Sequence, residues 1–288
     1  MKNGTSKRRR VGIWAVGVNG GLATTMIVGA KMIAKGQASQ SGLITSTPAF
    51  ADISVLPLAD IVFGGHDVRK TTVFDSAYEI YRENGTIPLE PLLELKEELR
   101  EVDANTRIGT VLNCGKTIQN IADASVRRKK QTAQEAFDQI RSDIAEFKKR
   151  NDLNQVVVIN LASTEPPLIL SRDHNTPTGI ARLIRENRVS EIRASTLYSF
   201  AALKDGHPFI NFTPSNASVM PGHIKLANKN NVPIMGNDGK TGETLVKSAL
   251  APMFKYRNLP VLTWQGYNIL GDRDGQVLAD DTNKASKI

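Results

Sequence analysis

Residues 11–16, VGIWAV, form a short apolar run that leads straight into glycine. Such a run reads as a buried parallel strand, apolar on both faces because helices cover both sides of the sheet. GVNGG at 17–21 then turns into 22–34, a stretch of good helix formers without proline. Strand, glycine turn and helix in succession are the opening of a mononucleotide-binding unit. The turn is not a regular G-x-G-x-x-G, because Asn19 stands where the second glycine would be. Taken alone it is equally a tight turn closing strand on helix. Its place at the start of the fold favours a nucleotide.

The rest of the chain continues the alternation. Strands are expected at 61–65, 156–159, 208–212 and 232–235, and helices at 71–82, 89–100, 132–150, 195–204, 223–229 and 241–256. Pro252 is placed to kink the last of these. Beyond it the pattern predicts strands at 260–270 and 276–279, joined by a turn at 271–275. The fold class is therefore α/β, a Rossmann-type, doubly wound and mainly parallel sheet, followed by the start of an α+β unit. The domain division is 1–240 and 241–288.

With 40% apolar and 23% charged residues the chain falls among ordinary globular proteins. No stretch approaches the roughly 18 apolar residues of a membrane span, and the basic N-terminus lacks a signal-peptide apolar core. A cytoplasmic protein with no membrane partner is expected. The one cysteine, Cys114, excludes an internal disulfide and suits a buried thiol. His66, His174, His207 and His223 show no ligand spacing, so no metal site is read. A net charge of +8 suits an anionic partner without choosing between sugar phosphate, dinucleotide and nucleic acid. The basic runs at 7–10 and 127–130 are not interleaved with aromatics, which leaves nucleic acid a minor reading.

In open α/β sheets ligands sit at the carboxyl ends of the strands. The expected strands here run out into GGHD at 64–67, NLASTE at 160–165, NFTPSN at 211–216 and GNDGK at 236–240. These stretches offer hydroxyl, amide and carboxylate groups suited to sugar hydroxyls and phosphate. Any single one is as readily a helix cap or turn; the recurrence at four strand ends points to a crevice. Lys240 and Lys247 flank the start of the last long helix, with Lys284 and Lys287 near the C-terminus. A lysine is usually a solvated surface charge, but beside phosphate it is a point-charge clamp.

At this point the sequence resembles the myo-inositol-phosphate synthases, in wording closer to their archaeal and bacterial branch. GNDGKTGETLVKS at 236–248, YNILGDRDG at 267–275 and NKASK at 283–287 resemble three family motifs. FGGHD, NLASTE and NFTPSN fall in the expected order before them. The resemblance implies NAD as a catalytic cofactor and glucose 6-phosphate as substrate. The sugar is oxidised at C5, enolised, closed onto C1 and reduced again to myo-inositol phosphate. It implies cofactor contacts from Gly17, Val18, Asn19, Gly20, Gly21, Asp67, Ala162, Thr164, Thr213, Ser215, Asn216 and Asp238. It matches Lys240, Lys247 and Lys287 to motif lysines and implies Lys247 and Lys287 for proton transfer and for phosphate or oxyanion contact, with Lys284 a further candidate. A divalent cation is used by some relatives, but no ligand spacing here supports one.

Asn237 stands where an acidic residue is frequent, and Leu245 where eukaryotic members carry lysine. Family members continue well past residue 288 and assemble as homo-oligomers, tetramers, through the second domain. The expectation is a fragment or a shortened member with exposed apolar surface. The alternatives are a family member that binds NAD without closing the ring, and a basic nucleic-acid-interacting protein.

Overall fold

Among the described residues six strands hydrogen-bond into one parallel sheet. They are β1 Val11–Val16, β2 Ile61–Asp67, β3 Thr106–Ile108, β4 Gln155–Asn160, β5 Phe209–Asn211 and β6 Ile234–Met235. Their order is β3-β2-β1-β4-β5-β6. This computed structural model describes residues 9–239, 242–266 and 274–287. β1 is central, with Val11 paired to Ile61 on one side and to Gln155 on the other.

Alternation along β1 divides the core in two. Trp14 and Val16 face one side, under α7 Ala133–Arg150, α8 Pro177–Arg185, α9 Ala194–Lys204 and α10 Pro221–Asn230. Ile13 and Ala15 face the other, under α1 Gly21–Ala34, α2 Val73–Asn84, α3 Leu89–Glu94 and α4 Lys96–Ala104. α5 Lys116–Ile121 and α6 Ala124–Arg128 link the β3 edge to α7. The fold class read from the sequence is the observed one, and the strand order is that of two mononucleotide-binding halves joined at β1 and β4.

α7 shows why this layering is stable. Thr132 and Glu135 form a reciprocal capping box at its start. Ala136, Phe137, Ile140, Ile144 and Phe147 recur at helical spacing and are all buried. Each large side chain so buried contributes about 1.5–3 kcal/mol before the entropy of ordering is counted. In β2 a Cβ on Gly65 would lie 2.0 Å from the Ala15 carbonyl oxygen, so only glycine lets these two strands pair there.

The C-terminal part differs from expectation. The chain runs helically through Pro252 in α11 Gly242–Tyr256, none of whose side chains is buried. Residues 260–266 form no strand, and 267–270 and 271–273 lie outside the described residues. The strand expected at 276–279 is instead helical over most of its length, in α12 Asp274–Leu278, followed by α13 Asp281–Lys284. In α12 the Val277 side chain is fully buried, packed on Cys114 and Ile118. A single helical turn delivers one such anchor without needing a sheet edge to pair with. The helix expected at 89–100 breaks at Leu95 into α3 and α4, and neither β3 nor α8 was expected.

Candidate functional site

The carboxyl ends of β1 and β4, where the strand order reverses, open into a cavity of about 800 Å³. Gly17, Asn19, Gly20 and Gly21 form one wall. Asp67 and Arg69 lie beyond β2, and Ala162, Thr164, Thr213 and Asp238 lie beyond β4 and β5. Gly17 has φ of 83°, and a Cβ there would sit 3.0 Å from the Ala162 Cα. Glycine is what allows the turn to approach the β4 end so closely. Gly20 is the N-cap of α1 and provides no side-chain cap, and the first turn of the helix carries no acidic residue. Its first N–H groups are left for an anion.

The turn is held from below by β2. Gly17 N and Val18 N both donate to the His66 carbonyl, at 2.8 and 3.2 Å. The His66 imidazole is buried, with Nε2 2.9 Å from Asp143 Oδ2 and edge-on to Trp14. Burial pulls its pKa below the usual histidine range despite the neighbouring carboxylate. Burial pushes Asp143 up, yet the hydrogen bonds from His66 and Gln139 leave it below the usual range overall. The pair is therefore a neutral imidazole donating to an ionised carboxylate.

Asp67 ties the turn to the β2 end. Its Oδ2 accepts from Asn19 N and its Oδ1 from Arg69 N, both at 2.9 Å. The Arg69 guanidinium lies 3.5 Å from the same carboxylate and donates to the Asn19 carbonyl.

Amides fix the other wall. Asn160 Nδ2 donates to Asn211 Oδ1 at 3.1 Å, and Thr213 Oγ1 to the same oxygen at 2.8 Å. Asn211 Nδ2 donates to Asn237 Oδ1 at 2.6 Å and to the Ser215 carbonyl at 2.9 Å. Deeper in, Glu165 accepts from the Ser195 amide and hydroxyl at the start of α9. Burial raises its pKa above the usual carboxylate range, against those two bonds.

The sequence-chosen residues fall into three groups. Gly17, Asn19, Gly20, Gly21, Asp67, Ala162, Thr164, Thr213 and Asp238 line the cavity. Val18, Ser215 and Asn216 stand behind it. The Val18 side chain is fully buried under α1, and Ser215 Oγ accepts from Glu165 N at 3.0 Å. Asn216 brackets Leu168, accepting from its N–H and donating to its carbonyl, each at 2.9 Å. The lysines form the third group. Lys240 and the side chain of Lys287 lie outside the described residues. Lys247 is paired with Glu243 at 2.7 Å and lies 5.8 Å over the Trp264 ring. Glu243 lines the cavity, and Lys247 stands one helical turn beyond it. Lys284 is exposed on α13.

The segment that carries Lys284 and Lys287 is nonetheless docked on the cavity. Fully buried Asn283 donates to the Thr164 carbonyl at 2.6 Å, and Ser286 Oγ to the Glu165 carbonyl at 2.6 Å. Thr117 Oγ1 adds a bond to Asp280 at 2.5 Å. Sequence reasoning did not single out Asp143, Arg69, Ser195 or Asn283. Only Asp143 left a trace, as a carboxylate between Ile140 and Ile144 on the buried face of α7. Elsewhere, a groove between α7 and the 205–207 turn is lined by Asp138, Asp152 and Asp205 against Arg141, Lys148 and Lys149, with no excess of either charge. Among the described residues no three metal-ligand side chains come together, and no helix is long and apolar enough to cross a membrane.

Comparison with known proteins gives concordant matches. The sequence model of the NAD-binding family described as myo-inositol-1-phosphate synthase matches residues 11–280. An inositol-3-phosphate synthase of Bacteroides thetaiotaomicron is 35% identical over 96% of this chain and 65% of its own length. One from Brassica napus is 32% identical over 81% of this chain and 45% of its own. The chain thus spans under two thirds of the length of these relatives. Among solved structures, the inositol-3-phosphate synthase of Caenorhabditis elegans superposes with a TM-score of 0.72 at 21% identity, over 98% of this chain and 59% of that one. A synthase-related protein of Thermotoga maritima gives 0.63 at 20% identity, over 87% and 60%. At these identities the superpositions speak for the fold alone.

Proposed function

The chain belongs to the myo-inositol-1-phosphate synthase family, and from that membership we propose that it binds NAD in the β1/β4 crevice and converts glucose 6-phosphate to myo-inositol phosphate. The observation that carries the reading is the crevice itself. A glycine turn at an uncapped helix start, an acidic β2 end and an amide-lined β4 end meet at the switch point of a parallel sheet.

The residues fit a dinucleotide. Gly17 lets the turn pack directly against Ala162, which keeps a side chain out of the crevice mouth, and the first turn of α1 supplies N–H groups for a pyrophosphate. Asp67 is the acidic group for the adenosine ribose. Ala162, Thr164 and Thr213 form the wall for the nicotinamide end. NAD supplies a hydride acceptor and donor for C5 of the sugar. The chain has to supply a cation for the developing oxyanion and a group to move the C6 proton. Lys247 and Lys287 are the proposed groups, with Lys240 and Lys284 in support. Docking of Asn283 and Ser286 on the Thr164 and Glu165 carbonyls supports that assignment for the C-terminal lysines.

The reading includes a division near residue 240 between a dinucleotide domain and the start of a catalytic and oligomerisation domain. It includes a homo-oligomer, supported by the exposed Leu245, Val246, Met253 and Leu262. Sugar phosphates and NAD are intracellular, so a cytoplasmic location goes with it. One observation favours a second reading, NAD binding without ring closure: among the described side chains neither Lys247 nor Lys284 lines the cavity.

Incubation with glucose 6-phosphate and NAD separates the two. The first reading expects inositol phosphate that requires NAD and disappears in Lys247→Ala, with NAD binding retained. NAD bound without product from the unsubstituted chain would leave the second.

A further inference from the structure

Gly242 and Glu243, in the first turn of α11, border the cavity, and Lys247 follows one turn further on. Side chains on an α-helix lean towards its N-terminus, so Lys247 leans over Glu243 and in the direction of the cavity. Its ammonium stops short of it. The Nζ atom pairs with Glu243 Oε1 at 2.7 Å, donates to the Trp264 carbonyl at 3.4 Å and lies 5.8 Å from the centre of the Trp264 ring.

The chain after α11 folds back to build this holder. Leu259 N donates to the Phe254 carbonyl at 3.0 Å, and Trp264 stands edge-on to Phe254. Gly266 then lies against Glu243, where a Cβ would fall on the carboxyl group. The carboxylate is thus seated between the Lys247 ammonium and the Gly266 backbone. That seat is shallow. The Lys247 and Glu243 side chains are 41% and 39% exposed, and an exposed i,i+4 pair is a weak interaction. A phosphate monoester brings nearly two charges and three acceptor oxygens against the single charge of the carboxylate, so it competes well for the ammonium.

We propose, resting on the sugar-phosphate reading above, that Glu243 is a built-in placeholder for the anionic substrate: it holds Lys247 against Trp264, outside the cavity, until the substrate's phosphate takes over the ammonium. The step exchanges ionic partners and makes or breaks no covalent bond. Glu243, facing a like charge, leaves its seat beside Gly266. The four-carbon stem of Lys247 then swings towards the cavity by about 5 Å, one pitch of the helix. Glu243 is a positioning residue that acts through Lys247, and any ligand that needs the lysine must first displace it.

Titration with glucose 6-phosphate in the presence of NAD tests this, with calorimetry for affinity and tryptophan emission for the lysine's departure. The chain has two tryptophans, and Trp14 is fully buried in the core. Emission that responds to the ligand in the unsubstituted chain, and not in Trp264→Phe, is the expected signal. Glu243→Gln is expected to bind glucose 6-phosphate about two- to fivefold more tightly, the scale of one weak pair together with one like charge. Gly266→Ala, which crowds Glu243 out but keeps its charge, is expected to tighten binding by a smaller factor. Lys247→Met is expected to weaken binding and to abolish the gain from Glu243→Gln when the two are combined. Equal or weaker binding in Glu243→Gln, a gain that survives without Lys247, or unresponsive Trp264 emission at saturating ligand would overturn the proposal and leave the sugar-phosphate reading standing. Glucose 6-phosphate bound by none of these chains would overturn both.

Discussion

Single residues decide how closely the two halves of the sheet meet. At Gly17 any side chain is strained by the positive φ and presses on the Ala162 backbone. The left-handed backbone region costs a non-glycine residue about 1–2 kcal/mol, so Gly17→Ala is expected to weaken NAD by about tenfold or more in an equilibrium titration. An unchanged affinity would remove the turn from the binding site. This residue was legible in the sequence because strand, glycine and helix stand in one local string. Asp143 was not, because its partner His66 is 77 residues away and only the packing of α7 on β2 joins them. Arg69, two residues past Asp67, was passed over for the opposite reason. Basic residues are common on surfaces, and nothing local announces that this one is folded back onto Asn19.

Elements are held by buried polar anchors as much as by apolar stripes. His223, in the first turn of α10, is fully buried and reaches the Thr196 carbonyl of α9 at 3.4 Å. Burial holds its pKa down at about 3, and His66 and His207 are lowered as well. A lowered histidine pKa means that the unfolded chain binds the proton first as pH falls. The stabilisation from His223 is present above about 6.5 and is lost progressively between there and about 3. Each such group steepens the loss by up to about 1.4 kcal/mol per pH unit. The melting temperature is expected to fall from pH 7 to pH 5, and less steeply in His223→Gln; identical slopes would contradict this. α13 depends on Asn283 in the same way. Asn283→Ala leaves the Thr164 carbonyl without its partner, at about 1–3 kcal/mol. Amide exchange across 274–287 is expected to accelerate while β1 and β4 stay protected. Helices with a long apolar period, such as α7, were readable. α12 was not, since a five-residue element with one buried side chain carries too little pattern to tell helix from strand.

For the molecule as a whole, the sheet order results from the alternation of strands and helices up to β6, and the chemistry lies where that order reverses. Beyond β6 the chain obeys different rules. α11 buries no side chain, and Leu245, Val246, Met253, Tyr256 and Leu262 are all exposed, Leu262 at 91%. Apolar surface of this kind drives association. Light scattering is expected to show a mass that rises with concentration, and Leu245→Glu with Met253→Glu is expected to suppress the rise. A constant monomer mass would count against this face as an interface.

One dinucleotide crevice joins the glycine turn to the ends of β2 and β4. Hydrogen–deuterium exchange with and without NAD tests it most directly. Slowed exchange is expected in 17–24, 66–71 and 160–165 together. Protection confined to the groove between α7 and the 205–207 turn, or no protection at saturating NAD, would contradict it.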